Sequence, residues 1–131
     1  PFFLMNGDII TKLDFPKMLE FHKDNNASIT IASVINKYKS PFGVLEIRDT
    51  KVMDVIEKPE YEWPVSAGIY CIGQELIYDI PQDSYFTMPE LIMQTKEKGG
   101  DVFSYPINEY WRALENQDHF EIARKEIENS N

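Results

Sequence analysis

Apolar residues along this chain arrive mainly in short unbroken runs, the pattern of strands packed inside a sheet, and less often at the three-to-four spacing of a helix face. The first run, Phe2-Phe3-Leu4-Met5, breaks abruptly into Asn6-Gly7-Asp8. Four apolar side chains in sequence predict a strand covered on both faces. The Asn-Gly pair then turns the backbone so that Asp8 emerges at the strand's carboxyl end, where open α/β sheets bind their ligands.

The pattern then alternates. Asp14 is placed to cap a helix with Pro16 in its first turn, and Met18, Leu19 and His22 give it one apolar face, so Asp14 to about Lys23 reads as an amphipathic helix. Ser28 to Ile35 is β-branched and short, a strand, and strand–helix–strand suggests a right-handed parallel crossover. Asn36–Pro41 reads as a loop. Phe42–Ile47 and Val52–Ile56 read as a hairpin turning at Arg48–Lys51 and ending at Glu57-Lys58-Pro59. A loop over Glu60–Pro64, a strand over Ser66–Ile72 and a short helix from Gly73 to Tyr78 follow. Thr87 and Glu90 form a capping box for a helix through Lys98, with Leu91, Ile92 and Thr95 inward. Asp101–Pro106 is a strand, Glu109–Trp111 an aromatic segment, and Asn116–Glu128 a polar helix. The order predicts one α/β domain over residues 1–131, a mixed, mainly parallel Rossmann-like sheet with helices on its faces.

Composition narrows what such a domain does. At 131 residues the chain can bury roughly two-thirds of its unfolded surface. Its 43% hydrophobic and 27% charged residues are those of an ordinary globular protein. Thirteen Lys and Arg against 22 Asp and Glu leave a net charge of −9, which argues against nucleic acid as a partner. An anionic ligand therefore needs local help from a lysine, backbone N–H groups or a metal ion. Cys71, the single cysteine, sits in an apolar run and reads as a small buried side chain. No run is long enough to span a bilayer and no signal-peptide pattern appears, so a cytoplasmic setting is expected. Pro1 leads straight into a buried-type strand, which suggests a piece of something longer.

Three places can carry chemistry. Asp8 either caps the next turn or ligates a hard divalent cation such as Mg2+. Glu57 can accept from sugar hydroxyls and Lys58 can supply a point charge for phosphate, against the plain alternative of a solvated pair worth a few tenths of a kcal/mol, ~0.3. Gly43 and Gly68, each inside an apolar strand, mark a bulge, a close ligand approach or core packing.

Taken in order, Asn-Gly-Asp after an apolar strand, Pro-Phe-Gly-Val, Glu-Lys-Pro, Ser-Ala-Gly-Ile-Tyr, Phe-Thr-Met-Pro-Glu-Leu-Ile and Tyr-Trp resemble the sugar-1-phosphate nucleotidyltransferases. The mannose-1-phosphate guanylyltransferases and glucose-1-phosphate thymidylyltransferases are the nearest in pattern. That family joins a nucleoside triphosphate to a sugar 1-phosphate and releases pyrophosphate with the help of Mg2+. The resemblance implies that Asp8 is a metal ligand and catalytic, and that Gly7 lies beside the nucleotide. It implies that Gly43 lets backbone approach the sugar, Glu57 binds sugar hydroxyls and Lys58 faces the phosphate. Ser66, beside Gly68 in the substrate-binding run, stands where the family has Asn.

Two departures shape the expectation. Nothing in the sequence matches the family's glycine-rich triphosphate loop, so the fold is expected to be truncated on its N-terminal side. The family's Trp-x-Asp-x-Gly, whose Asp is the second metal carboxylate, reads Trp111-Arg112-Ala113-Leu114-Glu115, with Glu115 the nearest carboxylate. The expected function is thus a nucleotidyltransferase domain with impaired or absent activity, the alternative being a non-catalytic sugar-phosphate or nucleotide-sugar binding or regulatory module. An exposed apolar sheet edge predicts a homo-oligomer or a partner chain covering it.

Overall fold

The computed structural model of the chain describes residues 1–130. The chain divides into two compact units, Pro1–Ser33 with the chain from Ser66 onward, and Val34–Val65.

The first unit is built on a sheet of order β1-β6-β3-β7, with β1 at Phe2–Met5, β3 starting at Ile29, β6 ending at Ile72 and β7 at Val102–Pro106. β1 runs antiparallel to β6, Phe2 opposite Ile72, while β3 and β7 run parallel, Ile29 opposite Val102. The sheet is therefore mixed, as expected, but β6 lies between β1 and β3, so the two strands joined through the first helix are not neighbours. A second small ladder pairs β2, Ile9–Thr11, with β8, Trp111–Ala113.

β1 departs from the pattern that predicted it. Leu4 and Met5 are 43% and 45% exposed, because β1 is an edge strand and nothing among the described residues covers them.

Helix α1, Phe15–Asp24, starts where Asp14 accepts the Lys17 N–H, with Pro16 in the first turn. Phe15 meets Phe3 edge-on and Phe21 meets Phe103 and Tyr105, so aromatic contacts tie the helix to β1 and β7. Helix α2, Met88–Glu97, carries the expected Thr87–Glu90 capping box, and α3, Gln117–Asn129, is capped by Asn116. A 3-10 turn over Gln74–Asp79 occupies the predicted short helix. Ile29, Tyr70, Ile72, Leu76 and Leu91 form one core cluster, and Cys71 is also buried, its thiol pushed up by desolvation.

His22, buried on α1, shares a 2.8 Å hydrogen bond with Thr30 Oγ1. Burial lowers its pKa from the ordinary value of 6.5, with Glu75 opposing. The imidazole is neutral in the fold but takes a proton more readily when unfolded. Stability from this residue is complete above pH ~6.5 and falls as the pH drops below that value, levelling once the folded imidazole titrates. Urea midpoints measured from pH 7.5 to 5 should decline in the wild type, and the decline above pH 5 should flatten in His22→Asn.

The second unit contains the hairpin of β4, Val44–Arg48, and β5, Lys51–Ile56. Arg48 faces Lys51 across the turn, Asp49 takes a left-handed conformation (φ 54°), and a bulge falls between Glu46 and Ile47. Two predicted loops are strand here. Residues 36–39 belong to β3, Ile29–Lys39, and residues 60–64 to β6, Glu60–Ile72, with Pro64 inside the strand. Asn36-Lys37-Tyr38-Lys39 is too polar to announce a strand, whereas Glu60-Tyr61-Glu62-Trp63 alternates at strand period and is masked by Pro64.

Candidate functional site

In the first unit, three ties draw the carboxyl end of β1 together with β6 and β8. The Asn6 N–H donates to Gly68 C=O at 2.9 Å, Trp111 Nε1 donates to Ala67 C=O at 2.8 Å, and the Leu114 N–H donates to Asp8 C=O at 2.7 Å. Gly7, Asp8, Ser66, Gly68 and Ala113 are thereby gathered around one end of the sheet. Sequence reasoning singled out Trp111 and Asn6 as parts of motifs but not the packing of the Asn6 side chain on Gly68.

Gly68 takes a left-handed conformation inside β6. Its φ is +71°, and an added Cβ would lie 2.7 Å from Asn6 Nδ2, so the close approach comes from the protein's own side chain. Gly68→Ala should cost about 1–2 kcal/mol for the left-handed backbone alone, visible as a lower denaturant midpoint. Ser66 reaches along its own strand, where its hydroxyl donates to Tyr70 OH at 3.0 Å and accepts the Gly68 N–H at 3.2 Å. One lone pair remains for a ligand.

Gly7 is exposed and a Cβ there would meet nothing within 4 Å, which leaves open space next to Asp8. Asp8 is exposed as well. Across the β2–β8 ladder Ala113 lies opposite Ile9, the residue after Asp8, and it brings a methyl group where the resemblance implies a carboxylate. Glu115 is exposed, and its backbone N–H donates to His119 Nδ1. Among the described residues no three His, Cys, Asp or Glu side chains are grouped to hold a metal on their own. A single exposed carboxylate does suit Mg2+, which takes one or two protein carboxylates and completes its shell with phosphate oxygens and water.

In the second unit, Gly43 precedes β4 rather than lying within it as expected, and a Cβ there would sit 3.5 Å from Glu57 Oε2. The absent side chain leaves that carboxylate open on one flank. Ser40 shapes the loop, its hydroxyl donating to Phe42 C=O and accepting the Phe42 N–H, while the Ser40 N–H holds Pro59 C=O at 2.9 Å. Glu57 and Lys58 are both exposed at the end of β5, and Lys58 adopts φ 43°. A left-handed lysine is uncommon and is held here by the bonded segments on either side.

Behind β8, Glu126 of α3 accepts from Tyr110 OH at 2.6 Å and from Arg112 Nε at 3.0 Å and Nη2 at 2.6 Å. Arg112 holds the Glu126 carboxyl below its ordinary range, with Tyr110 adding to the effect; burial and the bond to Glu126 push Tyr110 up.

Residues 1–129 match the family described as nucleotidyl transferase. The chain is 31% identical over 121 residues to a glucose-1-phosphate adenylyltransferase of Desulforamulus reducens, covering 83% of this chain and 30% of that protein. It is 31% identical over 134 residues to the enzyme of the same description from Lachnospira eligens, covering 95% of this chain and 32% of that protein. Its fold superposes on the crystal structure of HddC from Yersinia pseudotuberculosis with a TM-score of 0.64 at 21% identity, covering 96% of this chain and 55% of that one. The chain thus spans about a third of the length of these curated relatives, and it belongs to the nucleotidyl transferase family.

Proposed function

We propose that this chain supplies the sugar-1-phosphate side of a nucleotidyltransferase and that, by itself, it binds without turning over. The parent reaction joins a nucleoside triphosphate to a sugar 1-phosphate and releases pyrophosphate. In this reading Asp8 holds Mg2+, Gly7 leaves room for the nucleotide, Glu57 accepts from sugar hydroxyls beside Gly43, Lys58 balances the sugar phosphate, and Ser66 and Gly68 line the sugar side. The metal, when bound, neutralises phosphate charge. The setting is cytoplasmic.

The observation that carries the reading is the pairing of β2 with β8, which sets Ala113, and no carboxylate, opposite Ile9, the residue after Asp8. Phosphoryl-type transfer rests on positioning and charge neutralisation. Losing one electrostatic group at such a centre costs about a hundredfold to a thousandfold in rate. Binding, which needs fewer groups, survives that loss.

Calorimetric titration with glucose 1-phosphate, with and without Mg2+, alongside a pyrophosphate-release assay, tests this. Metal-dependent binding weakened by Asp8→Asn, without pyrophosphate release, is the expected result. Gly43→Ala should also weaken binding while leaving the melting temperature close to wild type, because the new methyl only screens Glu57. Pyrophosphate release that vanishes in Asp8→Ala would show that the chain catalyses alone. No binding in any condition would reject the sugar-phosphate assignment.

A further inference from the structure

The cluster behind β8 has no part in the assignment above. β8 is three residues long, too short to hold its place through ladder bonds alone, yet it forms one wall of the Asp8 site. Strand alternation puts Trp111 and Ala113 on one face and Tyr110 and Arg112 on the other. The first face reaches the site, with Trp111 Nε1 on Ala67 C=O. The second meets α3, where three donors converge on the single Glu126 carboxylate. Further bonds secure the same segment to β2, since the Lys12 N–H and Thr11 Oγ1 both donate to Tyr110 C=O. The Leu114 N–H then closes on Asp8 C=O at 2.7 Å, so the backbone of Asp8 is fixed by the residue that follows the clamped strand.

We propose that Tyr110, Arg112 and Glu126 act as positioning residues for Asp8, clamping β8 to α3 so that Leu114 holds the Asp8 backbone and aims its carboxylate at the phosphate and metal. The functional half of this proposal rests on the sugar-phosphate reading, and the mechanical half does not. Arg112 suits the role because its planar fork engages both carboxylate oxygens and fixes direction as well as distance.

The test compares the 131-residue chain with Glu126→Gln and Arg112→Lys, each made in the wild-type and Asp8→Asn backgrounds. Amide hydrogen exchange at Leu114 reports the clamp directly, with Ile29 and Val102 as core references. Glu126→Gln should speed Leu114 exchange well beyond any change at the references, and Arg112→Lys, which keeps the charge but loses the fork, should do so less. Metal-dependent affinity for glucose 1-phosphate should fall about tenfold in Glu126→Gln, as is usual when a partner that orients a metal ligand is lost. In the Asp8→Asn background the same change should have no further effect on the residual affinity.

Unchanged Leu114 exchange, or equal acceleration at all three amides, overturns the clamp. A loss of affinity that persists undiminished without the Asp8 carboxylate overturns the positioning role. Absence of metal-dependent binding by the wild type removes the sugar-phosphate reading and the functional half with it, while the exchange measurement still decides the mechanical half.

Discussion

An aspartate introduced at position 113 should raise Mg2+-dependent affinity for a sugar 1-phosphate about tenfold to a hundredfold, the usual worth of one group in a metal's immediate surroundings. The backbone is already in place. Ala113 pairs with Ile9, the residue after Asp8, and the Leu114 N–H bonds Asp8 C=O, so residue 113 and Asp8 flank the same ladder end. Without metal, two carboxylates at this spacing repel and each resists ionising beside the other. Ala113→Asp should therefore melt lower than wild type in chelator and recover on adding Mg2+, with a larger metal-induced shift than the wild type shows. Ala113→Asn, of similar size but uncharged, should show neither effect, which separates charge from bulk. Glu115→Gln should leave metal dependence unchanged, since that carboxylate stands exposed on the far side of Leu114 in sequence. Equal metal shifts in wild type and Ala113→Asp would show that the second oxygen does not belong at 113.

How legible this arrangement is in the sequence depends on the range of the interactions that make it. The caps at Asp14 and Thr87 are written within four residues, so both helices begin where the sequence puts them. The hairpin at Asp49 is local in the same sense. The β2–β8 ladder is not. It joins segments about a hundred residues apart through three residues on each side, and neither has a run long enough to announce a strand. The ordered motifs mark Asp8 and Ala113 separately, and only the pairing brings their two segments together. Likewise the Tyr110–Arg112–Glu126 cluster joins a strand to a helix surface, and in sequence Glu126 is one more acidic residue on a polar helix.

Burial was misread for related reasons. An apolar run reports what a strand packs against in its whole fold, and Phe2–Met5 carries the composition of an interior strand while lying at the edge of this sheet. Residues 36–39 show the converse, strand backbone with polar, exposed side chains, while residues 60–64 do alternate, Tyr61 and Trp63 each following a glutamate, and Pro64 argues against the strand they form. At Gly68 the sequence allows a bulge, the close approach of a ligand or packing against a neighbour, and the group found there is the Asn6 side chain, from a different strand's end.

The largest loss of stability should come from Leu91→Ala, at about 3–5 kcal/mol. Leu91 is 1% exposed and, with Ile29, Tyr70, Ile72 and Leu76, belongs to the core cluster where α2 meets the sheet. It and Thr95, one turn further along, are the two buried residues of α2, and Thr95 spends its hydroxyl on the Leu91 carbonyl. Removing the leucine side chain takes away the most deeply buried apolar attachment of the helix, leaving the partly buried Met88 and Ile92, and the rigid strands beneath can collapse into the space only in part. A domain of this size has about 5–15 kcal/mol in hand, so the variant should unfold at a much lower urea concentration and fray first at α2. Met93 on the same helix is 54% exposed, and Met93→Ala should change stability by no more than about 0.5 kcal/mol. Equal losses in the two variants would mean that α2 is covered on its outer side in solution, and that the sheet face is not its main attachment.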